Sequence, residues 1–255
     1  MSPFSASLRS GTTHPSPLIH PYFPNEATSN QSALIILAGG AYRIRSSHEG
    51  EGYAEAFAKE GFTCFVVDYR LGSEGHCHPE MLEDALASIE TIRSRASEFK
   101  IQAHKIGIIG SSAGGHLASH LLTGFDSYQT ENCQVSLRPD FGVLCYPVIS
   151  SEKRYVHQES MEYVVGPSPS AERRALFSRD LHVNESTPPC FIWHTVEDET
   201  VPVENSLLFA NALRKHRVPF EMHLYETGGH GLGLNIEHGW FSDCLRWIRY
   251  TLDLN

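Results

Sequence analysis

The chain has 255 residues, of which 41% are hydrophobic and 20% are charged, a composition typical of a globular protein with a single domain. Its formal net charge of −10 disfavours nucleic acid and anionic membranes as partners, because both require a basic surface. The sequence contains no apolar run long enough to span a membrane, and its N-terminus lacks the apolar centre of a secretory signal. We therefore expect a soluble, cytoplasmic protein.

Residues 1–32 are rich in Ser, Pro and Thr and are predicted to form a loose lead-in to a catalytic domain over 33–255. From residue 33 onward, apolar runs typical of buried strands alternate with segments of helical periodicity. The predicted strands are 33–38, 62–67, 106–109, 142–145, 190–193 and 220–225. The predicted helices are 52–60, 81–95, 113–123, 204–216 and 240–252.

This alternation predicts an α/β fold, with a mostly parallel central sheet covered by helices on both faces. Active sites of such sheets lie at the carboxyl ends of the strands. Segment 150–189 contains several prolines and follows one of these ends, so it is predicted to form a small cap or pocket wall. Catalytic chemistry should be confined to the loops that begin at Gly39, Tyr69, Ser112, Tyr146, Val196 and Thr227.

The strongest motif is residues 110–114, Gly-Ser-Ser-Ala-Gly, which lie between a predicted strand and a predicted helix. A serine at such a sharp turn is typical of a nucleophile elbow, and the small neighbouring residues let the strained turn pass close to other backbone. A short Gly/Ser-rich loop can also match the pattern by chance. The context favours Ser112 as a catalytic nucleophile.

A serine nucleophile needs a base, and His230 is the candidate because it lies in a glycine-rich loop between the last predicted strand and the last predicted helix. Without Ser112, the same histidine would be read as part of a surface turn. The base in turn needs a carboxylate to orient it. Asp198 is preferred for this role because it precedes Val201 and Pro202 in a His-x-x-x-Asp-x-x-Val-Pro loop, while Glu197 and Glu199 stay open as alternatives.

Two backbone amides are predicted to stabilise the negative oxygen of an acyl-transfer intermediate. One is the N–H of Ala113, and the other belongs to Gly40 or Ala41 in the loop after the first clear strand. A Gly-Gly pair is also compatible with a phosphate loop. However, neither Gly-Lys-Ser/Thr nor Gly-x-Gly-x-x-Gly is present, which disfavours nucleotide binding.

The cysteines and histidines give no pattern of a metal site. Six cysteines have wide, irregular spacing, and three of them lie in apolar runs, so they are predicted to be reduced core residues. Residues 76–78, His-Cys-His, are interpreted as a loop without a metal, because no Cys-x-x-Cys or His-Glu-x-x-His accompanies them.

Together these motifs resemble the α/β-hydrolase superfamily, and within it the esterases related to acetyl xylan esterases and to the esterase domains found beside xylanases. The order Ser112, Asp198, His230 is the order of that superfamily. The resemblance runs from about residue 33 to the C-terminus and includes residues 38–42, 68–71, 110–115, 146–148, 201–206 and 229–231. Relatives often have His or Pro where this chain has Ala38, and a third glycine where it has Ala41.

The resemblance implies an α/β-hydrolase fold with reduced N-terminal strands and hydrolysis of short-chain, acetyl-like esters, also on acetylated sugars, without a cofactor. The reaction would proceed through a Ser-His-Asp triad and an acyl-enzyme, and the partner would be a small-molecule ester. Tyr42, Arg43 and Tyr146 are the candidate substrate-binding residues. An amidase, peptidase or arylformamidase on the same fold is the alternative, and a non-catalytic binding protein is a further one.

Overall fold

The computed structural model describes residues 2–6, 17–166, 168–234 and 236–254. Within these residues one sheet contains eight strands: β1 (Phe4–Ser5), β2 (Leu18–Tyr22), β3 (Ala33–Leu37), β4 (Thr63–Asp68), β5 (Ile106–Ser111), β6 (Gly142–Cys145), β7 (Cys190–Thr195) and β8 (Phe220–Tyr225). Their spatial order is β1-β2-β4-β3-β5-β6-β7-β8. Strands β3 to β8 pair in parallel, so the predicted mostly parallel sheet is confirmed.

The N-terminal segment differs from the expectation of a loose lead-in. Strand β2 pairs antiparallel with β4 along its whole length, from Leu18 opposite Asp68 to Tyr22 opposite Cys64. Only β1 is reduced, to two residues. A domain boundary at residue 33 therefore does not separate the lead-in from the sheet, while residues 7–16 lie outside the described part of the chain.

Helices pack on both faces of the sheet. Their bounds are α1 (Glu51–Lys59), α2 (Glu80–Ser94), α3 (Ser112–Gly124), α4 (Gln158–Val165), α5 (Ala171–Ala175), α6 (Glu204–Lys215) and α7 (Trp240–Thr251). The two short helices α4 and α5 and a 3₁₀ turn at Arg179–His182 lie in segment 150–189. None of the helices in the described ranges combines the length and the apolar composition that crossing a bilayer requires.

The sheet separates two hydrophobic cores because successive side chains of a strand point to opposite faces. In β3, Ile35 and Leu37 join the core beneath α2, α3 and α6, whereas Leu34 and Ile36 join the core beneath α1 and α7. All three tryptophans of the chain belong to the second core: Trp193, Trp240 and Trp247. Burying an apolar side chain fully contributes about 1.5–3 kcal/mol, so both layers add substantially to stability.

The prediction that the cysteines are core residues holds for four of the six. Cys64, Cys145, Cys190 and Cys244 are buried free thiols, whereas Cys77 is exposed and Cys133 is partly buried. Burial raises the pKa of Cys145 and of Cys190 to about 12, which keeps both thiols protonated near neutral pH.

Candidate active site

Ser112 lies at the junction between β5 and α3 with a backbone φ of +52°, a left-handed conformation that is strained for a residue with a side chain. The surrounding glycines make this turn possible. A Cβ atom on Gly114 would collide with the backbone of Leu37 and Ala38, and one on Gly110 would collide with the backbone of Gly114. The predicted strand-turn-helix context of Ser112 is therefore present.

A chain of two hydrogen bonds joins three side chains from three loops. His230 Nε2 lies 2.8 Å from Ser112 Oγ, and His230 Nδ1 lies 2.6 Å from Asp198 Oδ2. A carboxylate only accepts hydrogen bonds, so Nδ1 carries the proton and Nε2 is free to accept one from the Ser112 hydroxyl. All three loops leave carboxyl ends of strands, after β5, β7 and β8, as the fold class predicts.

Asp198 is held as a charged group. It is 4% exposed, and its Oδ1 accepts hydrogen bonds from the backbone N–H groups of Thr200 and Val201. Burial alone would raise the pKa of Asp198, but hydrogen bonds from His194, His230 and the Val201 amide, with the charge that His230 gains on protonation, hold that pKa well below its usual range. The side chain is therefore an anion near neutral pH.

The two alternative carboxylates are placed differently. Glu197 and Glu199 are exposed, and Glu197 Oε2 accepts a hydrogen bond from the Gly228 N–H at 3.0 Å. Glu197 thus tethers the start of the loop that contains His230. Of these three acidic residues, Asp198 is the one that the structure brings against the imidazole.

The loop after β3 approaches Ser112 closely. A Cβ atom on Gly39 would lie 2.8 Å from the Ser111 carbonyl oxygen and 3.0 Å from the Ser112 Cβ, which is why a glycine is required there. Gly40 and Ala41 have φ values of +124° and +58° and line the cleft at Ser112, and the described residues give their N–H groups no hydrogen-bond acceptor. Ala113 lies in the first turn of α3, where N–H groups have no carbonyl partner within the helix.

Glu49, a carboxylate that is 3% exposed beside this loop, was not predicted as a site residue from the sequence. Its Oε2 accepts a hydrogen bond from the Gly39 N–H at 2.9 Å, and its Oε1 accepts one from the Tyr146 hydroxyl at 2.6 Å. The Gly39 amide is therefore occupied, whereas the N–H groups of Gly40 and Ala41 have no acceptor among the described residues. The position of Glu49 in the loop after β3 was a usable signal, but the sequence does not show that this carboxylate is buried.

Tyr146 supports the imidazole and does not line the cleft. It is 1% exposed, and its ring packs edge-on against His230 with 5.1 Å between the ring centroids. Its hydroxyl also accepts a hydrogen bond from the Gly233 N–H. Burial, followed by the charge of Glu49, raises the pKa of Tyr146 well above its usual value, so the hydroxyl stays protonated.

The substrate-binding role predicted for Tyr42 and Tyr146 is not what the structure shows, because both rings are buried. The Tyr42 hydroxyl lies 2.8 Å from His116 Nδ1, in the core beneath α3. Arg43, in contrast, lines the cleft and lies 3.5 Å from Glu159 in an exposed ion pair. A tyrosine in a loop after a strand can point either into the core or toward a ligand, and the sequence does not distinguish the two.

The cleft above Ser112 has a volume of about 200 Å³. Its walls come from the loop after β3, from the loop with His230, and from His157 and Glu159 of segment 150–189. It is smaller than most pockets for drug-sized ligands, which measure about 300–1,000 Å³. Such a cleft accommodates a small acyl group.

The His-Cys-His sequence at 76–78 contributes nothing to this cleft. His76 Nδ1 lies 3.2 Å from Glu80 Oε1, and the His78 ring stacks on His120. In the part of the chain that the structure describes, no group of three or more His, Cys, Asp or Glu side chains is arranged to hold a metal ion.

The sheet order, the strained serine turn and the relay from Ser112 to Asp198 together define an α/β hydrolase. More narrowly, the chain belongs to the BD-FAE family, whose model matches residues 20–213.

Named relatives agree with this placement. Endo-1,4-beta-xylanase B of Butyrivibrio fibrisolvens is 38% identical over 221 residues, which are 85% of this chain and 34% of that protein. An acetylxylan esterase of Xylanibacter ruminicola is 31% identical over 214 residues, which are 82% of this chain and 42% of that protein. The chain therefore spans less than half the length of either curated relative.

A solved structure matches over nearly its whole length. The crystal structure of an acetyl ester-xyloside bifunctional hydrolase from Caldicellulosiruptor lactoaceticus has a TM-score of 0.85 and 37% sequence identity to this chain. The match covers 95% of this chain and 90% of that one. The resemblance to acetyl xylan esterases is thereby confirmed at the level of fold and family.

Proposed function

We propose that this chain is a serine esterase that removes short acyl groups, above all acetyl groups, from acetylated sugars. The proposal is supported by the acetylxylan esterase and the acetyl ester-xyloside hydrolase among the similar proteins. A second support is the cleft volume of about 200 Å³, which suits a small acyl group.

The observation on which the mechanism rests is the relay at Ser112. With 2.8 Å from His230 Nε2 to Ser112 Oγ and 2.6 Å from Nδ1 to Asp198, the imidazole is oriented to take the serine proton. Asp198 fixes the tautomer and stabilises the imidazolium that forms, and the low pKa of Asp198 keeps its charge available for this task.

In the first half of the reaction, His230 Nε2 takes the proton as Ser112 Oγ attacks the ester carbonyl carbon. The carbonyl oxygen becomes an anion and is stabilised by the N–H of Ala113 and by that of Gly40 or Ala41. One such donor is typically worth about 2.7–4 kcal/mol of transition-state stabilisation. The imidazolium then gives its proton to the leaving alcohol, and an acyl-enzyme is left on Ser112.

In the second half, His230 takes a proton from water, and the resulting hydroxide attacks the acyl carbonyl. The same two amides stabilise the second tetrahedral intermediate. When it collapses, the Ser112 oxygen recovers the proton from the imidazolium and the carboxylic acid leaves.

The test is hydrolysis of p-nitrophenyl acetate, butyrate and octanoate by the wild type, by Ser112→Ala and by Ser119→Ala. Ser119 is a buried serine on the same helix whose hydroxyl donates to the His116 carbonyl, so it controls for the loss of a helical hydroxyl. We expect turnover of acetate and butyrate, little of octanoate, and turnover that is lost in Ser112→Ala alone. Circular dichroism of each variant controls for folding.

Turnover that survives in folded Ser112→Ala would refute the nucleophile. Release of acetate from acetylated xylo-oligosaccharides then tests the sugar substrate. An amide such as p-nitroacetanilide that is cleaved faster than p-nitrophenyl acetate would favour the amidase alternative.

A further inference from the structure

A second cavity lies at the opposite end of α3 from Ser112. It has a volume of about 360 Å³, and its walls include Arg173, Arg179 and three histidines. It shares no lining residue with the cleft at Ser112 among the residues described. No described aspartate or glutamate lines it, although the whole chain is acidic. Its polar surface is therefore cationic or neutral.

Arg179 is the central group of this cavity, and it is only 2% exposed. Its Nε and Nη2 donate to Thr123 Oγ1, and its Nη1 donates to the Leu176 carbonyl. A guanidinium has five N–H groups, so these three bonds leave two of them, one on each terminal nitrogen, without a partner in the described chain.

No acidic side chain of the described residues forms an ion pair with Arg179. Burial lowers the pKa of its guanidinium to about 10, although the nearby charge of Asp180 opposes part of that shift. The neighbouring Asp180 lines a different cavity. The C-terminal end of α3 lies nearby, but a helix end supplies only about half an elementary charge, which offsets part of the cost of burying an ion.

The histidines offer further donors. The ring of His78 stacks on that of His120 with 5.1 Å between the centroids, and the described residues give neither ring a hydrogen-bond partner. Burial and then the charge of Arg179 lower the pKa of His78 to about 4 and that of His120 well below its usual value. Both imidazoles are therefore neutral near pH 7, and each presents one N–H donor and one acceptor nitrogen.

We propose that this cavity is a binding site for a small organic anion, whose phosphate or carboxylate group is held by Arg179 and Arg173. A planar guanidinium with two free N–H groups matches either oxyanion in two-point geometry. The volume is far larger than a single inorganic ion and falls within the range of about 300–1,000 Å³ typical of small-molecule pockets. The bound molecule therefore has an organic part that contacts the imidazole and Phe177 rings.

Isothermal titration calorimetry on the 255-residue chain tests this site with three sugars of similar size. Glucose 6-phosphate carries a phosphate, glucuronate carries a carboxylate, and glucose carries neither. The variants are Arg173→Ala, which removes an exposed cavity charge, and Arg214→Ala, a matched control that removes an exposed charge on α6. Arg179→Lys, checked for folding by circular dichroism, is a second variant that keeps the positive charge but loses the planar guanidinium with its paired N–H donors.

We expect one or both charged sugars to bind and glucose not to bind. Arg173→Ala should weaken binding by about tenfold, as expected for loss of one charge-assisted hydrogen bond, and Arg214→Ala should leave it unchanged. The charged sugar that binds more tightly identifies the anionic group. Failure of both to bind the wild type, or equal effects of Arg173→Ala and Arg214→Ala, would overturn the proposal. Arg173→Ala should also leave hydrolysis of p-nitrophenyl acetate unchanged.

Discussion

The two ends of α3 place histidines in opposite surroundings. At the N-terminal end, His230 has a partner at each ring nitrogen, an anion on one side and a hydroxyl on the other. Towards the C-terminal end, about 12 Å further along the helix, His120 has no hydrogen-bond partner among the described residues and lies in the field of Arg179. The comparison shows that the groups around an imidazole, and not its position in a motif, decide whether it is a base or a neutral lining group.

The largest effect on turnover is expected when the anion beside His230 is removed. In Asp198→Asn the imidazole loses its fixed tautomer and the charge that stabilises its protonated form, so kcat should fall by about a thousandfold to ten-thousandfold. Steady-state hydrolysis of p-nitrophenyl acetate measures the loss. Glu199→Gln, a neutralised exposed neighbour, should retain wild-type turnover. A loss of less than about tenfold in Asp198→Asn would contradict this role.

A smaller effect is expected from the second buried carboxylate of the same end. Glu49 holds both the Gly39 amide and the Tyr146 hydroxyl, and a glutamine can accept only one of these bonds with its single oxygen. In Glu49→Gln we therefore expect kcat to fall roughly tenfold to a hundredfold through misplacement of the loop and of the ring behind His230, with KM nearly unchanged.

Glu51→Gln, an exposed acid two residues further along the chain, is the matched control for Glu49→Gln. If Glu49 acted only in folding, the variant would lose thermal stability while kcat of the folded fraction stayed at the wild-type value. That result would show that Glu49 stabilises the fold but does not position the residues of the site.

The surroundings of His120, at the other end of α3, are tested by the pH dependence of the free energy of unfolding. Because burial and Arg179 hold the pKa of His120 well below 6.5, the unfolded chain binds a proton there that the folded chain does not once the pH falls below about 6.5. The free energy of unfolding therefore decreases as the pH is lowered through this range. In His120→Gln this decrease should be shallower by up to about 1.4 kcal/mol per pH unit.

Urea unfolding of the wild type and of His120→Gln between about pH 7 and about pH 5 measures that slope. His104 is exposed, so His104→Gln should keep the slope of the wild type. Equal slopes for all three proteins would show that His120 takes up a proton in the folded state. The proposed difference between the surroundings of His120 and those of His230 would then be wrong.

The smallest effect concerns the rim of the cleft. The ion pair of Arg43 with Glu159 is largely exposed, so losing it should change stability by less than about 1 kcal/mol. We expect Arg43→Ala to raise KM for acetylated xylo-oligosaccharides about threefold and to leave p-nitrophenyl acetate unaffected, because only the larger substrate reaches the rim. Arg154→Ala, an exposed arginine that does not line the cleft, is the control, and equal KM changes in both variants would exclude a rim contact.

The central strands were predictable because they are buried on both faces and read as continuous apolar runs. Strand β2 was not, since Pro21 interrupts it and its buried and exposed residues are mixed. The two short helices of segment 150–189 lie among prolines and have too few turns for a clear period. Burial in the tertiary structure, and not local propensity, determines these elements.

The residues of the site also differ in whether the sequence could predict them. Ser112, Asp198 and His230 could be predicted because each lies in a recognisable loop after a strand, and the structure connects them through two hydrogen bonds. Glu49 and Arg179 were not, because their significance depends on burial and on partners distant in sequence: Tyr146 for the first and Thr123 for the second. A sequence shows which groups are charged, but not which charges are taken out of water.

The confinement of all three tryptophans to the core beneath α1 and α7 has an optical consequence. Trp193 stacks on Trp240 with 4.9 Å between the rings, and Trp193 also contacts Tyr146, the ring behind His230. Intrinsic emission thus reports on one side of the sheet and on the back of the His230 ring. The layer that contains α3 and the arginine cavity has no indole, so a tryptophan introduced there would provide a separate signal for its unfolding.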